Sequence, residues 1–74
     1  STNADMHARD IETLAALSPK AEETLIAAAK TMKLSARGYH RTIKLARSIA
    51  DLAKSDAIEV PHMLEALQYR AREI

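Results

Sequence analysis

Apolar positions along the chain recur at helical spacing, and residues with capping or breaking chemistry separate one recurrence from the next. Ile11, Leu14 and Ala15, with Ala8 before them and Asp5 as a candidate cap, predict a short helix over about residues 6 to 16. Ser18-Pro19 is a start signal, because a serine cap accepts a bond from an orphan amide and proline at the first helical position has no amide to lose. A second helix is therefore expected from Pro19 to about Met32, with Ala21, Leu25, Ala28, Ala29 and Met32 on one face. Glu22 and Glu23 near its positive end, and Lys30 and Lys33 near its negative end, suit the helix dipole. Ser35 is the next cap. From Ala36 to about Lys54, the residues Tyr39, Ile43, Leu45, Ala46, Ile49, Ala50, Leu52 and Ala53 share one side of a third and longest helix. Lys54-Ser55-Asp56 breaks it, Ile58 lies on the connection, and Pro61 opens a fourth helix with Val60, Met63, Leu64, Leu67, Ala71 and Ile74 at helical spacing. Short connections between four unequal helices predict an all-α fold, a small four-helix bundle.

Composition changes the picture in one respect, the thinness of the core. Of 35 hydrophobic residues among 74, 15 are alanine, so the helices must approach closely and leave no room for a large catalytic cavity. A chain this short buries only about 60% of the surface exposed on unfolding, which favours a partner surface. The single glycine excludes both GxxxxGK[ST] and GxGxxG phosphate loops from these residues. The chain by itself is accordingly not expected to be an enzyme. No cysteine is present, so thiolate and disulfide chemistry are excluded, in keeping with a reducing cytoplasm. No apolar run approaches the ~20 residues a membrane span needs, and no export signal opens the chain. A start at Ser1 without methionine reads as an excised piece of a longer protein, with residues 1–5 a cloning remnant or flexible linker and 6–74 one domain.

Net charge is only +1, so the distribution of charge carries the information. From Lys30 through Arg47 there are six lysines or arginines, plus His40, and no acid. On a helix advancing about 100° per residue, Arg37, His40, Arg41, Lys44 and Arg47 gather within an arc of about 120°. One reading is a solvated face partly neutralised by Asp51, one turn beyond Arg47. The other is an anion site. Arg37 falls in the first turn after the Ser35 cap, where amides and the dipole already favour negative charge, and a guanidinium adds a forked donor for phosphate oxygens. His7, His40 and His62 have no partner at i, i+4, so no metal site is expected. Tyr39 and Tyr69 are isolated and read as core or rim packing rather than stacking groups.

The string LSARGYHRTIKLARSIADLA from Leu34 to Ala53, followed by IEVPHMLEALQYR from Ile58 to Arg70, resembles the C-terminal end of magnesium-chelatase-like ATPases of the ComM-type competence protein family. The resemblance runs over about residues 6 to 72, and its most specific parts are the LSAR start, the LARSIADLA helix and the EALQYR ending. It implies the helical lid domain of an AAA+ ATPase, packed beside an upstream P-loop core of the same parent chain. It further implies a cytoplasmic, hexameric parent that uses ATP and Mg²⁺ and acts on DNA. In such lids a sensor-2 arginine at the start of the third helix reaches the γ-phosphate, and the matching position is Arg37, with Arg41 one turn later as support. Gly38 departs from the alanine more common there, and glycine is expected to fray the first turn by up to about 1 kcal/mol. Tyr69-Arg70 matches the family's ending without a derivable role.

Residues Ala27 to Arg47 also resemble the helix-turn-helix of Fis-type transcription regulators, which implies a DNA-binding module. In that reading Ser35, Arg37, His40 and Arg41 enter the major groove, and Lys44 and Arg47 meet phosphates. The continuation of the amphipathic pattern to Leu52, and a further helix beyond it, are foreign to that module.

Overall fold

The computed structural model describes residues 15–72, and among these three α-helices stand in the order α1 (Pro19–Met32), α2 (Ala36–Leu52) and α3 (Val60–Arg72). They are the second, third and fourth of the helices expected from the sequence. The first, over residues 6 to 16, lies outside the described residues apart from Ala15 and Ala16, as do the proposed linker 1–5, His7 and Ile74.

Helix starts follow the expected chemistry. Ser18 Oγ accepts the Ala21 amide at 3.1 Å, and Pro19 occupies the first helical position of α1. Ser35 repeats the arrangement for α2, accepting the Gly38 amide at 3.0 Å. The helix ends use a device that composition hides. Lys33 and Lys54 both adopt the left-handed conformation, with φ of 53° and 58°. After α1 the Leu34 amide donates back to the Ala29 carbonyl at 3.0 Å, and after α2 the Ser55 amide donates to the Ala50 carbonyl at 2.9 Å. These are Schellman closures in which lysine stands where glycine is usual. Because Lys54 is already left-handed, α2 ends at Leu52, two residues before the expected limit.

Helix α3 packs against both other helices, while α1 and α2 make scarcely any contact with each other. A short parallel bridge between Leu17 and Ile58 joins the segment before α1 to the segment before α3. It is closed by the Ser18 amide to the Ile58 carbonyl at 3.0 Å and by the Ile58 amide to the Ala16 carbonyl at 2.8 Å. Ile58 is thereby fully buried on a connection, not on a helix.

The core comprises Ala21, Leu25, Ile43, Ala46, Ala50, Ile58, Met63, Ala66 and Leu67. Four of its nine members are alanine, which is how so few large side chains fill it. Three expected core positions, Leu52, Ala53 and Leu64, face outward instead. Leu52 is 86% exposed, since it sits at the edge of the apolar arc in the last turn of α2, and Leu64 is 49% exposed on the outer side of α3. Thr42 is buried within the arc and satisfies its hydroxyl on the Gly38 carbonyl at 2.8 Å. No helix among the described residues is long and apolar enough to cross a membrane.

Candidate functional site

The start of α2 is built by the three residues that leave α1. Lys33 reverses the chain, Leu34 closes the preceding helix, and Ser35 takes an extended conformation (φ −74°, ψ 169°) that caps the next one. With the Gly38 amide on Ser35 Oγ and the Tyr39 amide on the Ser35 carbonyl at 2.8 Å, the first turn is firmly closed. It contains no acidic residue to offset the positive end of the dipole. From this turn Arg37 projects into solvent, and Ala36, Arg37, His40, Arg41 and Lys44 line one shallow surface groove. Among the described residues, none of Arg37, His40, Arg41 and Lys44 forms an ion pair. A concave, cationic surface at a capped helix start can hold an anion by charge and by forked donors together.

Arg47 does not join this groove. Its Nε donates to Asp51 Oδ1 at 3.0 Å, Nη2 pairs with the same oxygen, Nη2 also donates to the Ser55 carbonyl at 3.2 Å, and Nη1 to the Asp56 carbonyl at 3.3 Å. The guanidinium is thus a clamp that holds the α2–α3 connection, and the stripe of five expected from the sequence divides into four outward-facing groups and one structural group. Ser35 is likewise committed, its hydroxyl oxygen being occupied by the cap. The groove-reading set expected for a helix-turn-helix therefore keeps Arg37, His40, Arg41 and Lys44, while Ser35 and Arg47 are engaged within the fold.

His62 plays a local part. Its Nδ1 accepts the Glu59 amide at 2.9 Å, while the Met63 amide donates to the Glu59 carbonyl at 3.1 Å. Glu59 is thus the residue that opens α3, and histidine three positions on returns to its amide as glutamate does in a capping box. Tyr39 is half-buried against the core, and Tyr69 is 49% exposed.

Sequence reasoning missed what lies beneath the candidate turn. Gly38 is buried, and a Cβ placed on it would stand 3.1 Å from Arg70 Nη2, 3.5 Å from Ser35 Oγ and 3.7 Å from Leu34 Cδ2. The absence of a Cβ at Gly38 lets a guanidinium from α3 pack closely against this turn. A lone glycine in a first turn, together with an arginine on the apolar side of a later helix, was the available signal.

Comparison with known proteins agrees with the composition of these elements. Residues 1–70 match the family described as magnesium chelatase, subunit ChlI C-terminal. The competence protein ComM of Haemophilus influenzae is 42% identical over 69 residues, covering 93% of this chain and 14% of that protein. An uncharacterised protein, YifB, of Escherichia coli is 50% identical over 38 residues, 51% of this chain and 8% of that protein. The YifB of Salmonella typhimurium is 42% identical over 50 residues, 68% of this chain and 9% of that protein. The chain therefore spans about one seventh or less of the curated relatives it matches. No solved structure matches it. A match over nearly the whole chain places it in a family, and the chain belongs to the magnesium chelatase ChlI C-terminal family.

Proposed function

We propose that this domain is the lid of a ComM-type, magnesium-chelatase-like AAA+ ATPase and that Arg37 is its sensor-2 arginine. The observation that supports the reading most strongly is the start of α2: a serine-capped turn without an acid, from which Arg37, with no ion pair among the described residues, projects beside His40, Arg41 and Lys44. The bound anion is the γ-phosphate of ATP held by a P-loop core supplied upstream in the parent chain, with Mg²⁺ as that core's metal. Arg37 lends a forked positive donor to charge that develops on the transferred phosphoryl group, and Arg41, one turn along, adds to the field. Because ADP lacks that group, engagement of Arg37 ties the lid angle to the nucleotide state and hence to the arrangement of subunits in a homo-hexameric ring acting on DNA in the cytoplasm.

The test is nucleotide preference. In the full-length protein, Arg37→Ala is expected to weaken binding of a non-hydrolysable ATP analogue about tenfold or more while ADP binding stays within about twofold, the loss of one hydrogen-bonded charge contact. Equal affinities for both nucleotides before and after the substitution would remove the sensor assignment. The helix-turn-helix reading makes the opposite demand, salt-resistant binding of a preferred duplex at ~10⁻⁸ M or tighter. A lid with a modest cationic groove is expected to give only weak binding that vanishes as salt rises, read by anisotropy of a labelled duplex.

A further inference from the structure

Arginine 70 stands on the wrong side of its helix for a solvated charge. At about 100° per residue, it projects between Met63, Ala66 and Leu67, which are all buried. Its Nε is buried too, and its Nη2 packs so close to Gly38 that a Cβ there would stand 3.1 Å away and press the guanidinium aside by a few tenths of an ångström. Gly38, in turn, is the neighbour of Arg37. Its amide is held by Ser35 Oγ at 3.0 Å and its carbonyl receives the buried Thr42 hydroxyl at 2.8 Å. Glycine is the poorest helix former after proline, so its presence in a closed first turn calls for a gain elsewhere. Room for the guanidinium is that gain.

We infer that Arg70 is a positioning residue: by packing through the Gly38 gap it ties the C-terminal half of α3 to the turn that carries Arg37, and so sets the direction in which Arg37 projects. This rests on the phosphate-sensing reading of Arg37 for its functional consequence, but the coupling of Gly38 and Arg70 stands on geometry alone. A planar guanidinium slides over a backbone where the rounder ammonium of lysine does not, so the site discriminates between the two basic side chains. The assignment also gives the EALQYR ending a purpose, since its arginine acts at a helix start 32 positions away in the chain.

The experiment is a double-mutant cycle in the full-length protein, reading the ratio of ATP-analogue to ADP affinity and the amide hydrogen exchange of Gly38 and Tyr39. Arg70→Ala and Gly38→Ala are each expected to lower the ratio about fivefold and to speed exchange at both amides about tenfold, while the Leu25 amide in α1 stays protected. The Gly38→Ala/Arg70→Ala pair is expected to be no worse than either single change, and Arg70→Lys is expected not to rescue. In an Arg37→Ala background, Arg70→Ala is expected to lower the ratio no further, because Arg70 acts through Arg37. Additive losses in the pair, a further loss in the Arg37→Ala background, or full rescue by lysine would overturn the inference. Should Arg37→Ala itself leave the ratio unchanged, the sensing reading falls and exchange alone decides the coupling. Faster exchange at Gly38 and Tyr39 in Arg70→Ala would then support it, and unchanged exchange would overturn it.

Discussion

At the start of α2, Arg37, His40, Arg41 and Lys44 face solvent without an ion pair among the described residues, whereas near its end Arg47 is enclosed by Asp51 and the carbonyls of Ser55 and Asp56. Both ends are basic, and both are followed or preceded by a tight backbone reversal with a left-handed lysine. The difference lies in what each cation finds within reach. An aspartate four residues on and two upturned carbonyls convert Arg47 into a loop clamp. No carboxylate among the described residues pairs with the cations at the other end, and the helix dipole there has the same sign as the side chains. Charge is consumed internally at the end that holds the α2–α3 connection and left outward at the start of the helix. A basic stripe counted from spacing alone merges these two roles.

Substitutions can break this comparison in descending order of effect. Arg37→Ala is expected to cut ATP turnover of the full-length protein about ten- to a hundredfold, because one charged contact to phosphate contributes about 1.5–3 kcal/mol. The melting temperature of the domain is expected to stay within about a degree, since the side chain is exposed. Arg47→Ala is expected to reverse the pattern, lowering domain stability by about 1–2 kcal/mol in denaturant titration, with turnover per folded molecule retained. Ser35→Ala removes the cap that closes the first turn and is expected to cost about 1 kcal/mol, with local loss of helicity at residues 36–39 by NMR. Lys54→Gly, which relieves a left-handed non-glycine residue, is expected to stabilise by about 0.5–1 kcal/mol, and Lys33→Gly by a similar amount. Smallest of all, Asp51→Asn is expected to cost a few tenths of a kcal/mol, an effect that salt diminishes because the Asp51 carboxylate is largely exposed. A large stability loss from Arg37→Ala, or none from Arg47→Ala, would erase the contrast between the ends.

Much of this was legible in the residues because it is local chemistry. Ser18-Pro19 and Ser35 announce their helices, and the spacing of Ala21, Leu25, Ile43, Ala46, Ala50, Met63 and Leu67 gives the buried faces. What was not legible depends on elements meeting. Ile58 reads as a loop residue until its pairing with Leu17 is seen. Leu52 and Leu64 satisfy helical periodicity, yet both stay exposed. The spacing of Arg47 and Asp51 suggested their pairing, but the Ser55 and Asp56 carbonyls are brought round only by the Schellman turn at Lys54. Gly38 stood out as a glycine in a first turn, whereas Arg70 gave no role by its spacing, and only the packing of α3 against α2 brings the two together. Of the candidate site, the capped start and Arg37 were read from the sequence, whereas the division between outward and enclosed arginines was not.

We propose that the two ends of α2 differ in kind, Arg37 serving the nucleotide and Arg47 the fold. Steady-state ATP turnover of the full-length protein, measured side by side for Arg37→Ala and Arg47→Ala and normalised to the folded fraction, tests it most directly. The expected loss is about tenfold or more for Arg37→Ala and less than about twofold for Arg47→Ala. Equal losses, or a loss confined to Arg47→Ala, would contradict it.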